Sequence, residues 1–532
     1  MSIIGGLLNS YSESWNSSPL FTIASSFVIL IITLVAYAQF EQKYFANPNE
    51  PPLVHYWIPF IGSMIEFGIQ PLHFMKKNRE KYGDYFTFLM FGKRMSVCLG
   101  LNGNSLVFNA KHDYANAEDA YNHLTKPVFG EDVVYDVPNS MLMEQKRMAK
   151  SGLTTESFRT YVPIIIDEVN KYLDENWTKD SDIVDIFKAV SEIIIMTASH
   201  TLIGPEIRAQ LHTGVADLYH TLDASFTPLH FLFKWLPLPS YYSCKTAHEE
   251  LAEIFNKIIE NRKKDVGNTH EDMLNQFINY KFKDGSKFND KQVGNMSIAI
   301  LMAGQHTSSA TTAWSLLNLA NSHHLLDETY NEMQEAMGKD LPYPELDDLK
   351  KMPILESIVK ETLRLRNPII QIMRKVTKPI AVPGTNYVIQ PGSYLVSSPT
   401  VTQTDPKYFP NPDKYDPHRW DSPSATEAPK ADDDTPVQSN KNSIVDEGDV
   451  DYGFGSINSK SAKSPYLPFG AGRHRCIGEQ FAFVQIRTIL YTIIKRFDFE
   501  LDPKRGMPEP DYNSMVILPT GPASIRYIRR KN

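Results

Sequence analysis

Phe469-Gly470-Ala471-Gly472-Arg473-His474-Arg475-Cys476-Ile477-Gly478 decides how this chain is read. The spacing F-x-x-G-x-x-x-C-x-G fixes four residue types within ten positions. A cysteine held in a glycine-rich loop, flanked by basic residues and followed by an apolar helix, is expected to be a thiolate. Neighbouring positive charge and a helix N-terminus both lower a thiol pKa. No second cysteine lies nearby, which excludes a local disulfide or a four-cysteine zinc site. A lone thiolate can instead be the axial ligand of a haem iron, where it pushes electron density to the metal and favours O–O cleavage. The alternative, a small buried hydrophobe, leaves Phe469, Gly472, Arg475 and Gly478 unexplained.

Working outward, the 532 residues suffice for one large catalytic unit or two to three smaller domains. A hydrophobic content of 42% with 11% aromatics supports a substantial core, and a net charge of −8 argues against a nucleic-acid binder. The three cysteines, Cys98, Cys244 and Cys476, resemble neither a disulfide framework nor a zinc cluster, so the folded part is expected in a reducing compartment. Residues 20–40 carry no charge and include the run FTIASSFVILIITLVAYA. Such a helix spans roughly 30 Å and crosses a bilayer. Ala36-Tyr37-Ala38 looks like a signal-peptidase site, but residues 1–19 hold no Lys or Arg and the apolar run exceeds a signal h-region. Lys43, Lys76, Lys77 and Arg79 follow the segment, which puts the main body on the cytosolic side. The sequon Asn16-Ser17-Ser18 would then be lumenal. The expected layout is a short lumenal N-terminus (1–19), a transmembrane anchor (20–40), a stiff proline-rich hinge (41–56) around Asn47-Pro48-Asn49-Glu50-Pro51-Pro52, and a catalytic domain (57–532).

Within that domain, YFTFLMFGKRMSVCLG (85–100) predicts a hairpin about a Gly-Lys turn. Helical periodicity dominates from about 140 to 365, and short strands return near 377–398. Residues 422–463 form an acidic polar insert, expected as a mobile solvated loop. Asn289 to Asn321 predicts one buried helix opened by a capping box from Asn289 and Gln292. Polarity then breaks out at Ala303-Gly304-Gln305-His306-Thr307-Ser308-Ser309. Gly304 is expected to weaken the helix locally. Thr307 either holds a water or bound oxygen beside a cofactor, or bonds back to a helix carbonyl. Pro353 to Asn367 predicts a second helix with Ile354, Leu355, Ile358 and Leu365 on its apolar face. Glu361 and Arg364 share a face there. Arg419, in Asp416-Pro417-His418-Arg419-Trp420, is expected to close a Glu–Arg–Arg network behind the cysteine loop.

The cysteine loop, the run ETLR and the later PHRW together resemble the cytochrome P-450 superfamily of haem-thiolate monooxygenases, over nearly the whole chain after the hinge. More narrowly, YNHLTKPVFGEDVVYD (121–136), AGQHTS (303–308), FTP (226–228), YGFG (452–455) and SPYLPFG (464–470) resemble the fungal sterol (lanosterol) 14α-demethylases. The resemblance implies a mainly α fold with a small β subdomain, behind one transmembrane helix. It implies haem b ligated by Cys476, with Tyr121, Tyr135, Lys146, Arg374, His474 and Phe469 also binding the cofactor. It implies a proton route through His306 and Asp223, Thr307 on the oxygen side, and a sterol pocket lined by Phe129, Val134, Phe226, Ala303, Ile370, Gln371 and Met515. The implied reaction oxidises the sterol 14α-methyl group to alcohol and aldehyde, then releases it as formate with a new 14,15 double bond. Electrons would come from NADPH through a membrane-bound reductase docking near Arg473 and Arg475. Membrane lipid and azole inhibitors are further implied partners, with the endoplasmic reticulum as the location. The chain departs from the family's R-M-H-x-P-L-H-S: it has Arg364-Leu365-Arg366-Asn367-Pro368-Ile369-Ile370-Gln371, with Met373 where Phe is common. Those departures motivate an alternative, a diverged enzyme acting as a sterol desaturase or lipid hydroxylase. A third reading is a non-catalytic haem- or sterol-binding protein, against which the trio Thr307, His306 and Asp223 argues.

Overall fold

The computed structural model describes residues 18–44, 47–211, 215–223, 225–226, 239–265, 272–282, 284–421, 462–512 and 516–531. The fold is mainly helical with small sheets, as expected. The first helix, Pro19–Tyr44, contains a stretch from Thr22 to Tyr44 long and apolar enough to cross a membrane. It runs four residues into the expected hinge. The chain after it is pinned rather than free: Val388 N–H donates to Asn49 O (2.7 Å), Thr87 N–H to Pro52 O (2.8 Å) and Val54 N–H to Thr87 O (2.7 Å).

The hairpin forms from Tyr85–Met90 and Lys93–Cys98, with Met90 opposite Lys93. Its turn is therefore Phe91-Gly92, one residue earlier than expected. Both central residues are left-handed (φ 48° and 71°), which a two-residue hairpin turn of matching twist demands. Tyr394–Ser397 adds parallel to Lys93–Cys98, then Ile372–Val376 and Ala115–Asn116 complete a five-stranded sheet. The returning strands thus begin at Ile372, ahead of the expected 377. A second sheet joins Ser181–Asp185, Ser524–Arg529 and Phe497–Leu501, so one strand falls in the region where helical periodicity dominates. Trp177 stacks on Tyr527 beside it (ring centroids 4.7 Å).

The central helix, Asp290–Ala320, passes through the core against Ile186–Ala198, Pro353–Leu365 and Glu479–Arg496. Its capping box is present in both directions: Gln292 N–H donates to Asn289 Oδ1 (2.9 Å) and Asn289 N–H to Gln292 Oε1 (3.0 Å). The helix continues unbroken through Gly304. Its hydroxyls are satisfied one turn back, Ser309 on Gln305 O, Thr311 on Thr307 O and Thr312 on Ser308 O. The Pro353 helix stops at Leu365, two residues early, because Asn367 precedes Pro368 and is pushed out of the helical region. All but Ala462 and Lys463 of the acidic insert lies outside the described residues.

Candidate active site

The cysteine loop is shaped by close backbone approach. Gly470 and Gly472 are left-handed (φ 71° and 62°), and a Cβ on Gly472 would stand 2.8 Å from Phe108 O. Cys476 N–H donates to Phe469 O (2.9 Å) and Arg475 N–H to Gly472 O (3.1 Å), so the loop curls back to present the thiol. Gly478 then caps the helix Glu479–Arg496, with the Phe469 ring 5.7 Å from that of Phe483. Cys476 is exposed although Arg475 and Ala471 are buried, while protein encloses the thiol: it faces an inner hollow. Burial pushes the Cys476 thiol up, and the Gly478 N–H, Lys146 and Arg475 only offset this in part. Arg475 is diverted by Glu479 (Nη2 to Oε2, 2.6 Å), so its charge is shared before it reaches the sulfur.

Around the loop the structure gathers five of the residues implied to bind cofactor. Tyr121 and Tyr135 stack (5.3 Å), and Tyr135 lies 6.4 Å from the His474 ring. The Tyr121 hydroxyl accepts from Met373 N–H (2.7 Å), which joins the helix Glu118–Phe129 to the strand carrying Arg374. Lys146 Nζ donates to Arg473 O (2.7 Å) and Arg475 O (2.9 Å), and burial pulls its pKa down to about 7. Burial, then the charges of Arg374, Lys146, Arg473 and His112, hold the His474 imidazole well below its ordinary range. Arg374 is buried, and the one hydrogen bond its guanidinium makes among the described residues is to Met373 O (2.8 Å). A buried guanidinium without an anion is costly. A cluster of Arg, Lys, His and two phenols beside an enclosed thiol therefore fits a dianionic, thiolate-ligated group, which is what haem b with its two carboxylates offers.

The central helix carries the residues implied on the oxygen side. Ala303 is exposed and Thr307 half-buried although Met302 and Ser308 are buried, and a Cβ on Gly304 would meet nothing within 4 Å. Thr307 Oγ1 donates to Ala303 O (2.9 Å), the back-bonded alternative. His306 is half-buried. Asp223 ends the helix Val215–Asp223 with its side chain outside the described residues, and Met515 also lies outside them. Of the sterol-pocket residues, Phe129 and Phe226 meet (5.7 Å). Val134 has φ +54°, an uncommon state for a β-branched residue, held by its N–H donating to Gln145 Oε1 (2.9 Å). Buried Gln145, which also donates to Asp132 O (3.0 Å), is a positioning residue that the sequence reading missed. Ile370 is buried, its carbonyl accepting from Ser398 Oγ (2.6 Å), and Gln371 is half-buried.

Behind the loop, Glu361 and Arg364 are both 0% exposed and doubly bonded (2.8 and 2.9 Å). Arg419 Nε reaches the same carboxylate (2.9 Å), as do Trp420 Nε1 (3.0 Å) and Asp416 N–H (3.0 Å). Gln403 carries the network to the loop: Arg364 donates to Gln403 O, and Leu467 N–H donates to Gln403 Oε1 (3.0 Å). Trp420, Asp416 and Gln403 were not anticipated. Arg473 and Arg475 are buried, so neither presents its charge to a docking reductase, contrary to expectation.

The sequence model of cytochrome P450 matches residues 51–527. The sterol 14-alpha demethylase CYP51A of Gibberella zeae is 44% identical, covering 95% of each chain. The lanosterol 14-alpha demethylase of Cunninghamella elegans is 43% identical (91% of this chain, 92% of that one), and the eburicol 14-alpha-demethylase of Uncinula necator 43% (96% of each). A solved structure, retinoic acid bound cyanobacterial CYP120A1, superposes with a TM-score of 0.72 over 91% of this chain at 18% identity, and shares the fold. With the enclosed cysteine, the cationic cluster and the open-faced central helix in place, the chain belongs to the cytochrome P450 family.

Proposed function

We propose that the protein is a membrane-bound sterol 14α-demethylase, removing the 14α-methyl group of lanosterol- or eburicol-type sterols with O2 and NADPH-derived electrons. The observation that carries this reading is similarity at 43–44% over nine-tenths or more of both chains to enzymes described by that activity. Cys476 would hold haem b, with Tyr121, Tyr135, Lys146, Arg374 and His474 about its carboxylates, and the group when bound would supply the oxidation of an unactivated C–H bond. The chain's own part is placement and protons. Phe129, Phe226, Val134, Ala303 and Ile370 offer apolar surface to a rigid tetracycle, with the Gln371 amide at its polar end. The Thr307 hydroxyl, released from Ala303 O, delivers a proton to the oxygen side, and His306 with Asp223 resupplies it from solvent. Electrons come from a membrane-bound NADPH reductase. The anchor sits in the endoplasmic reticulum membrane as a single pass, with the body in the cytosol, and nitrogen-ligand azoles compete for the iron.

The test is incubation of the purified protein and reductase with lanosterol or eburicol. The 14-demethylated product is expected; its absence alongside turnover of another sterol rejects the reading in favour of a diverged desaturase or hydroxylase, which Ile370 and Gln371 would then explain.

A further inference from the structure

The loop between two of the implied sterol contacts is strained. The helix Glu118–Phe129 stops at Gly130, which is left-handed (φ +89°), and Gly130 N–H returns to Lys126 O (2.9 Å). The remaining carbonyls of the last turn have no N–H of their own helix to accept from. Beyond it the backbone is left-handed again at Asp132 (φ +61°) and Val134 (φ +54°). Neither is a glycine, and a β-branched side chain resists this state, so neighbours must hold the loop in place. Phe129 and Val134, both implied to face the sterol, stand at its two ends.

Gln145 holds the Val134 end, accepting from Val134 N–H and donating to Asp132 O. The Phe129 end is met by the central helix and by the helix Pro239–Lys264, which packs against it and against Glu118–Phe129. Asn295, 0% exposed, donates from Nδ2 to Glu131 O (3.0 Å). The approach is close, since a Cβ on Gly130 would stand 2.4 Å from that amide. Buried Cys244 donates its thiol to Pro127 O (3.4 Å). One turn further on, half-buried His248 faces the Phe129 main chain and the Asn295 side chain; burial holds its pKa below the ordinary range, against the pull of those two groups. The ion pair of Glu131 with Lys291 (2.8 Å) is exposed on both sides and worth little, which leaves the hold to the buried bonds. Asn295 has no part in the chemistry implied for the central helix, lying eight residues, about 12 Å, before Ala303. An apolar side chain would pack there without a desolvation cost, so the amide is accounted for by the loop carbonyl it satisfies.

We propose that Asn295, seconded by His248, is a positioning residue that sets the width of the sterol pocket: it clasps the Glu131 carbonyl and so fixes Phe129 against Phe226. This rests on the sterol 14α-demethylase reading. With the clasp open, the left-handed residues relax, Phe129 withdraws from the Phe226 ring that now stands 5.7 Å away, and the sterol sits in more than one pose. The clasp therefore acts on binding and on the alignment of the bound sterol, through Phe129 and not by touching the sterol itself.

The test is a double-mutant cycle on the full-length holoenzyme, read by titrating lanosterol against the sterol-induced shift of the haem spectrum. Asn295→Ala is expected to keep the reduced, CO-bound spectrum and to bind lanosterol about tenfold more weakly, the order set by one buried hydrogen bond. Its KM should rise by a larger factor than kcat falls. In a Phe129→Ala background the clasp has nothing left to position, so the same change should cost little more. Equal losses in both backgrounds overturn the proposal, because Asn295 would then act on the fold at large, and so does wild-type affinity in Asn295→Ala. If the alanine variant loses haem, Asn295→Ser, whose hydroxyl falls short of Glu131 O, runs the same cycle with the same deciding outcomes. His248→Ala should weaken binding in the same direction by less, and wild-type affinity there removes His248 from the clasp. A wild-type protein that binds neither lanosterol nor eburicol would instead reject the sterol reading beneath the proposal.

Discussion

Thr307 shows what one side chain contributes at the centre of the site. Its hydroxyl is held on Ala303 O at 2.9 Å, so it costs the buried helix no unsatisfied donor. The same hydroxyl is the only one in the polar run Ala303–Ser308 on the open face, since Ser308 is buried. Thr307→Ala is expected to keep the haem and its spectrum while more NADPH is consumed per sterol turned over, the excess appearing as hydrogen peroxide. Unchanged coupling between NADPH oxidation and product counts against the role. Lys146 gives a second outcome, this time in pH. Burial pulls its folded pKa to about 7 from an ordinary 10.5, so between those values the unfolded chain binds more protons than the folded one. Stability of the haem-free protein therefore rises with pH through that window. Chemical denaturation between pH 7 and 10 should show this rise, and Lys146→Met should flatten it. Haem carboxylates beside the ammonium would hold its proton and shrink the slope in the loaded enzyme. The cysteine itself was legible because ten positions held four fixed types. The ion pair that takes up Arg475 was not, because it depends on the helix turn that brings Glu479 within 2.6 Å.

At the scale of elements, local rules read well where one segment settles its own geometry. The capping box of the central helix and the shared face of Glu361 and Arg364 formed as the spacing implied. What stayed hidden were bonds from side chains to distant backbone: Tyr121 to Met373 N–H, Gln403 to Leu467 N–H, Gln145 to Val134 N–H. Backbone groups carry no residue signature, so nothing in the sequence marks them as partners. The Glu361 network tests how far such bonds matter. Five N–H donors converge on one carboxylate that is wholly buried, and three of them come from two arginines. Glu361→Ala leaves buried Arg364 without its counterion, which should cost about 3–5 kcal/mol of stability. Because Gln403 joins the network to Leu467, haem retention should fall with it. Denaturation midpoints and haem content of the variant check both, and a loss of stability with full haem retention would separate the network from the loop.

At the scale of the whole molecule, two parts meet: a helix long and apolar enough to cross a membrane and a body whose family match begins at residue 51. The core is built without the anchor. The central helix, the helices around it and the two main sheets all lie after residue 80. Backbone hydrogen bonds tie Asn49 to Val388 and Pro52 and Val54 to Thr87 of the hairpin, so a chain starting near residue 47 keeps that edge. Removal of residues 1–46 should therefore leave a folded, haem-containing protein with unchanged sterol-binding spectra and a thermal midpoint close to that of the full chain. Its turnover with soluble reductants should persist. With a membrane-bound reductase turnover should drop, because a tethered pair shares an effective concentration that a free body must replace by diffusion. Raising the concentration of the truncated protein should recover part of that rate. If truncation instead abolishes haem binding, the hydrogen bonds of Gln39 and Gln42 with the Tyr56 backbone would have to support the core.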